Sequence, residues 1–315
     1  RIAGGLPVPA TIAKHAVRIS FSNDNTNRIC SGSLISDSHI VTAAHCVVDS
    51  NFAARAPSDI VIGYGNVDVN QQSKAKGVNI HLHPNFVQNG APSSTNNIAI
   101  IEIAPLKLTG SVNRIPIYDK KIEPEQAMFT TGWGITAAGA ENSSVLRGVA
   151  VVAGSKDMCV AKDKDFVSND GPLICIPNSL TPGRSSCSND GGGGILVSSD
   201  KFTMLAGFNN YVLTSPRQDS CGSADAMRFA THVSYFMDFI ASVTGKQKEY
   251  FTSIDGINTN SPTLPTSTAA SSTAASSTAA SSTAASLAGT SSSSPSVNPY
   301  KTTTVTVVTV ITRTV

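Results

Sequence analysis

The sequence lacks the features of several protein classes. Its 315 residues contain no uninterrupted apolar run that approaches the roughly 18 residues of a membrane-spanning helix. Charged residues make up only 14% of the chain, and the net charge of +2 includes no run of like charges. We therefore expect no membrane span, and neither a nucleic acid nor an anionic membrane surface is indicated as a partner.

Cysteine is scarce, and its pattern argues against a zinc site. The chain has six cysteines, none of them in a Cys-x-x-Cys pair. An even number without such a pair favours disulfides formed in an oxidising compartment. Six cysteines allow many pairings, so spacing alone leaves the connectivity open. No secretory leader precedes Arg1, and we expect that one has been removed.

A change in composition divides the chain into a domain and a tail. Residues 1–245 mix large apolar residues with turn-forming Gly, Asn, Asp and Pro, whereas residues 246–315 are rich in Ser, Thr and Ala. The tail carries the repeat Ser-Ser-Thr-Ala-Ala from about Ser267 to Ser286 and has too few large apolar residues to offset its ordering entropy. This composition is typical of O-glycosylated stalks, so we expect a disordered, O-glycosylated segment.

Short β-branched segments dominate the domain and predict an all-β barrel or sandwich. Turn-forming residues bound them, and no helical periodicity lies between them. The exception is 233–243, where apolar residues recur at helical spacing and Gly245 stands where a helix would stop. The predicted strands are 16–21, 32–35, 40–42, 60–62, 78–82, 98–103, 128–131, 149–152, 194–197 and 203–208.

One local motif carries the strongest functional signal. Val41-Thr-Ala-Ala-His-Cys46 follows Cys30-Ser-Gly-Ser-Leu-Ile35. A lone histidine beside a cysteine is usually structural, but this string resembles the histidine segment of the trypsin-like (chymotrypsin-fold, S1 family) serine proteases. Further matches run in the family's order across residues 2–245: Ile2-Ala-Gly-Gly5 at the activation terminus, His83-Pro-Asn-Phe86 and Asn97-Ile-Ala-Ile-Ile101 near the catalytic aspartate, Thr131-Gly-Trp-Gly134, the loop from Cys187 to Val197, and the helix from Val233 to Ile240.

The resemblance implies a definite fold and pairing. Members of the family fold as two six-stranded antiparallel β-barrels with a C-terminal helix, and we expect that architecture here. The cysteines fall at family positions that imply the bridges Cys30–Cys46, Cys159–Cys175 and Cys187–Cys221.

The triad that the family uses is incomplete in this chain. Its mechanism needs a hydroxyl nucleophile, an imidazole base and a carboxylate that orients the imidazole. The family's loop Cys-x-Gly-Asp-Ser-Gly-Gly-Pro corresponds to Cys187-Ser-Asn-Asp-Gly-Gly-Gly-Gly194. Gly191 therefore replaces the serine, Asn97 replaces the aspartate, and only His45 is retained. The nearest upstream hydroxyl is that of Ser188, so the resemblance implies a protein without the family's activity.

The substrate pocket also departs from the family. Asn189 stands where a glycine supplies one backbone amide of the oxyanion hole, and a side chain there requires the left-handed conformation that Asn tolerates. Ser185 stands at the pocket floor, so no carboxylate selects Lys or Arg. The other expected pocket residues are Asn210, Tyr211 and Val212 on one wall and Arg228, which we expect to point into the pocket and plug it.

Scaffold features are retained. Asp190 matches the carboxylate that receives the new ammonium of Ile2 when such a chain is cut after Arg1; an uncut chain is the open alternative. Asn142-Ser-Ser forms an N-glycosylation sequon. We expect no metal and no cofactor, because His81 and His83 have no third ligand.

These observations predict a secreted protease homologue that binds another secreted or surface protein, as a decoy or inhibitor. The alternative is a residual or unusual endopeptidase in which His45 activates water directly or Ser188 is recruited. A third possibility is display of the domain on a cell wall or surface through the tail.

Overall fold

The computed structural model describes residues 2–22, 28–88, 94–135, 137, 139–198, 202–214 and 221–257. The predicted repeat and the remainder of the tail from residue 258 lie outside the described residues. No helix within the described part is long and apolar enough to cross a membrane.

Strands dominate the described residues, and the helices are short. The elements are β1 (Leu6–Pro7), β2 (Ala16–Phe21), β3 (Cys30–Leu34), β4 (His39–Thr42), β5 (Ile60–Tyr64), β6 (Ser73–Leu82), β7 (Val87–Gln88), β8 (Ser94–Thr95), β9 (Ala99–Ile103), β10 (Ala127–Gly132), β11 (Arg147–Val152), α1 (Lys156–Val160), β12 (Leu173–Pro177), β13 (Gly194–Ser198), β14 (Thr203–Leu213), β15 (Met227–His232), α2 (Met237–Thr244) and α3 (Lys248–Thr252).

The N-terminal half forms a closed six-stranded barrel in the order β2-β3-β4-β9-β6-β5. Every pairing around it is antiparallel. Its interior is filled by β-branched and Leu side chains such as Val17, Ile19 and Ile101, all fully buried, because inward-facing residues alternate along each strand of a small barrel.

The C-terminal half forms a second antiparallel sheet in the order β1-β11-β10-β13-β14-β15-β12. Strand β11 also contacts β12, so the sheet curves back on itself. The predicted chymotrypsin-like fold is therefore confirmed. One detail differs from the expected six strands: the two residues of β1 pair with β11 and make a seventh.

The predicted C-terminal helix is present. A short 3-10 helix over Val233–Phe236 leads into α2, and Gly245, in the left-handed conformation at φ 67°, ends it. Folded structure continues beyond residue 245 in α3, where Phe251 is fully buried in a hydrophobic core cluster that contains residues of the first barrel and of β10, β13 and β14. Of the residues assigned to the tail, 246–257 are thus folded, and the disordered, O-glycosylated segment beyond them stays a prediction.

Three disulfides join Cys30 to Cys46, Cys159 to Cys175, and Cys187 to Cys221. These are the pairs that the resemblance implies. The first ties β3 to the turn that carries His45, and the third anchors the loop that precedes β13. Two of the three bridges therefore hold segments on which the residues of the site lie.

Candidate active-site cleft

Three segments bring the residues of the site together. His45 lies in a 3-10 turn over Ala44–Cys46 that follows β4, and Asn97 immediately precedes the segment leading into β9. Thr42 of β4 pairs with Ala99 of β9. His45 and Asn97, which lie close to these two residues in sequence, therefore meet at one end of the barrel. Gly191 comes from the loop before β13 and lies directly against the imidazole.

The Asn97 side chain uses all its hydrogen-bonding groups on two partner residues. Its Oδ1 accepts from the backbone N–H of His45 at 3.0 Å, while its Nδ2 donates to Nδ1 of His45 at 2.8 Å and to Oδ1 of Asn210. A backbone N–H only donates, so Oδ1 must face it, which fixes the orientation of the amide. Nδ1 of His45 is therefore an acceptor, and the proton of the neutral ring lies on Nε2.

This tautomer is the wrong one for general-base catalysis. A base at this position must accept a proton at Nε2, with Nδ1–H held by a carboxylate. The pKa of His45 is lowered to about 4, first by burial and then by the charge of Arg28, while the hydrogen bond with Asn97 acts to raise it. The ring is therefore neutral near pH 7 and presents an N–H where a base needs a lone pair.

Gly191 is in close contact with the imidazole. A Cβ built on Gly191 would lie 2.6 Å from Nε2 of His45 and 3.3 Å from Sγ of Cys46. Real Cβ atoms do not approach that closely, so the ring occupies the space that a serine side chain would need. The imidazole would have to move before any side chain is placed here.

The loop before β13 retains two backbone donors that face no protein acceptor in the described part of the chain, the amides of Asn189 and Gly191. Asn189 has φ 67°, the left-handed conformation that Asn tolerates better than most residues. Its side-chain Nδ2 donates to Oδ1 of Asn142 at 2.9 Å. The sequon residue Asn142 thus lies at the rim of the cleft.

Asp190 is fully buried and holds this loop in place. Its Oδ1 accepts from the amide of Gly134 and its Oδ2 from the amide of Cys187, both at 2.8 Å. Burial raises its pKa to about 6, against the opposing effects of the two amide hydrogen bonds and the charge of Arg228. Ile2 is also fully buried, in the hydrophobic core of the second sheet. Arg1 lies outside the described residues, so cleavage after it stays a prediction.

A cavity of about 180 Å³ lies beside Gly191, at the position of the expected substrate pocket. Asn189, Asn210, Tyr211, Val212 and Arg228, all expected there from the sequence, line it. Arg228 forms part of its wall and leaves this volume open. The lining includes Ser188, the nearest hydroxyl upstream of Gly191.

Ser185 does not line the cavity, although the sequence places it at the pocket floor. Its side chain is 1% exposed, and its hydroxyl accepts a hydrogen bond from the amide of Gly222 at 3.0 Å. Sequence reasoning missed Ser186 and Asn209, which do line the cavity. Both are direct neighbours of residues that it placed in the pocket, so their position along the chain was the available signal.

The only cluster of possible metal ligands in the described residues is Cys30, His45 and Cys46. Both sulphurs belong to one disulfide, so neither is available as a thiolate ligand. His81 instead lies 3.6 Å from Glu102, and His83 packs against Phe236 and Phe239.

The neutral state of His45, a half-buried residue, makes stability depend on pH. Between pH 4 and 6.5 the unfolded chain binds a proton at His45 that the folded chain does not, because the folded pKa is lowered from 6.5 to about 4. The unfolding free energy therefore rises with pH across this window, by about 3 kcal/mol from this group. We expect the unfolding free energy of wild type minus that of His45→Gln, both measured by urea unfolding, to increase by that amount as pH rises across this window.

The comparison with His45→Gln separates His45 from other groups. Asp190 acts in the opposite direction, because its carboxyl keeps a proton up to about pH 6 in the folded state and only to 3.8 in the unfolded state. Its contribution is present in both proteins and cancels from their difference. His81→Gln, outside the site, serves as the control. Parallel curves of unfolding free energy against pH for wild type and His45→Gln would contradict the lowered pKa of His45.

Comparisons with known proteins agree with this architecture. A family model described as Trypsin matches residues 2–240. The chain is 27% identical to trypsin from Phaedon cochleariae over 241 residues, which cover 75% of this chain and 86% of that trypsin. It is 30% identical to brachyurin from Leptuca pugilator over 225 residues, covering 69% and 88% of the two chains. The protein belongs to the trypsin-like (S1) serine protease family.

Proposed function

We propose that this protein is a secreted, non-hydrolysing member of the family that binds another secreted or surface protein through its cleft, as a decoy or inhibitor. The observation that carries the proposal is the contact between Gly191 and His45. The residue at the nucleophile position has no side chain, and Nε2 of the imidazole fills the space beside it. A covalent acyl intermediate needs an oxygen at that point.

The hydrogen bonds of Asn97 support the same conclusion independently. They hold His45 as the Nε2–H tautomer, so even a hydroxyl delivered from elsewhere would meet a donor. The two donor amides of Asn189 and Gly191 and the adjacent cavity remain available to bind a polypeptide. Loss of chemistry with retention of a binding cleft favours recognition over cleavage.

Secretion and glycosylation belong to the same proposal. Three disulfides in the described residues are typical of proteins that fold in an oxidising compartment. Asn142 and the Ser/Thr-rich tail would carry the glycans, and the tail would extend the domain from a wall or surface.

A fluorophosphonate probe tests the absence of a nucleophile. The probe forms a covalent bond with an activated serine, and we expect no adduct on the purified full-length chain by intact mass spectrometry under conditions that label trypsin completely. Ser188→Ala is the matched control, because Ser188 lines the cavity and is the residue that a residual hydrolase would recruit. Stoichiometric labelling that disappears in Ser188→Ala would replace this proposal with an unusual hydrolase.

A further inference from the structure

We propose that a second cavity, lined by His15, Arg114 and Thr203, binds a monatomic anion such as chloride. Its volume is about 30 Å³. About 10–15 Å³ is enough for one water molecule, so the cavity has room for a single small ion and not for a phosphate. None of its lining residues lines the cavity beside Gly191, so this inference is independent of the proposed function.

Backbone hydrogen bonds join the three segments that form the wall. The amide of Asn113 donates to the carbonyl of Lys14 at 3.1 Å, and the amide of Leu205 in β14 donates to the carbonyl of Pro116 at 2.8 Å. The segment that carries Arg114 is therefore connected on one side to the segment before β2 and on the other side to the strand that begins at residue 203.

Two donors in the wall have no hydrogen-bond partner. Nη1 of Arg114 and Oγ1 of Thr203 are buried and unpaired, and the two residues are 7% and 8% exposed. Nη2 of Arg114 is satisfied, because it donates to the carbonyls of Ser253 and Asp255 at 3.1 and 3.0 Å. Unpaired buried donors are rare in native proteins and often mark a bound ion or water.

The charges at the cavity favour an anion over water. Lys14 and Arg114 both line it, and none of its described lining residues is an aspartate or a glutamate. Asp255 is exposed, its carboxylate accepts from the hydroxyl of Ser253, and no acidic residue follows it in the sequence. A buried cation is normally compensated by a negative charge. Water accepts hydrogen bonds as well, but it leaves the charge of Arg114 uncompensated.

His15 adds a third donor. It is 5% exposed, and burial lowers its pKa to about 4. Its ring is therefore neutral near pH 7 and offers one N–H. An anion can accept from this group, from the guanidinium of Arg114 and from the hydroxyl of Thr203 together. Because Arg114 also holds the carbonyls of residues 253 and 255, the ion would stabilise the docking of the segment that leads into the tail.

Urea unfolding of the full-length chain at constant ionic strength tests the proposal. We expect stability to rise when sodium chloride replaces sodium gluconate, whose anion is too large for the cavity. Above the dissociation constant, each tenfold increase in chloride should lower the unfolding equilibrium constant about tenfold. Crystals grown in bromide should show an anomalous peak within hydrogen-bond distance of Nη1 of Arg114 and Oγ1 of Thr203. Stability that does not depend on chloride, or a cavity without bromide, would overturn the inference.

Thr203→Val assigns the chloride effect to this cavity. It removes the hydroxyl with little change of shape and keeps Arg114, so the chloride concentration needed for half of the effect should rise at least about tenfold. In gluconate the variant should be at least as stable as wild type, because it no longer buries an unpaired hydroxyl. Thr181→Val is the matched control. Its hydroxyl is also buried and unpaired but does not line this cavity, so its chloride dependence should equal that of wild type. An unchanged chloride dependence in Thr203→Val would overturn the assignment.

Discussion

The double variant Asn97→Asp/Gly191→Ser is expected to release p-nitrophenol from p-nitrophenyl acetate about four orders of magnitude faster than Gly191→Ser alone. The carboxylate introduced in place of the Asn97 amide would accept from the backbone N–H of His45, as Oδ1 now does. It would also accept from a proton on Nδ1, to which the amide now donates. That moves the ring proton to Nδ1 and leaves Nε2 free to accept from the new serine. The burst and steady-state rates measure the effect.

Gly191→Ser by itself should stay close to the background rate for two reasons. The imidazole must move, because the new Cβ would lie 2.6 Å from Nε2. The amide of Asn97 also keeps the ring in the Nε2–H tautomer, which cannot take the serine proton. Replacement of Asn97 affects a third residue, since its Nδ2 also donates to Oδ1 of Asn210; a rotation of the Asn210 amide supplies a donor to the new carboxylate.

Asn97→Asp/Gly191→Ala is the matched control. It adds the same carboxylate and the same Cβ without a hydroxyl, so it should hydrolyse no faster than wild type. Equal rates for Gly191→Ser and the double variant would show that the tautomer is not what limits the reaction. A folded but inert double variant would show that more than these two replacements separates the chain from catalysis.

The sequence predicts strands that consist mainly of β-branched and apolar residues and are bounded by turn-forming residues. β2 is predicted at its observed bounds because its β-branched residues are framed by turn residues. β15 is missed, although all its residues are buried, because Arg228 and His232 break the apolar pattern that marks a buried strand. Their burial depends on neighbours from β12 and β14 that are distant in sequence. The composition assigns α3 to the tail for the same reason: Phe251 is buried in a core cluster whose other members are mostly distant in sequence.

The sequence predicts which residues lie in the site, but it does not predict their hydrogen bonds. The position of Gly191 within a recognisable loop is enough to predict that the family's serine side chain is missing. No pattern in the sequence reports that the amide of Asn97 donates to His45, since that follows from a backbone N–H on the other side of the amide. The position of Ser185 along the chain places it at the pocket floor, but its hydroxyl turns to the amide of Gly222 instead.

Asp190→Ala is expected to cause the largest loss of stability among single substitutions in the cleft. The carboxylate is fully buried and accepts from the amides of Gly134 and Cys187. Its removal leaves two buried donors unsatisfied at a cost of about 1–3 kcal/mol each, so the unfolding free energy should fall by about 3–5 kcal/mol in urea titrations. Asp190→Asn keeps one acceptor and should lose about half as much.

Asp170→Ala provides the control for loss of a carboxylate. Asp170 is exposed and lies 4.0 Å from Lys121, so its removal should change the unfolding free energy by less than about 1 kcal/mol. Equal effects of the two alanine variants would show that the loop from Cys187 to Gly191 does not depend on Asp190. A large difference would show what this buried acid does beside Gly191: its two amide contacts hold Asn189 and Gly191 at the wall of the cavity.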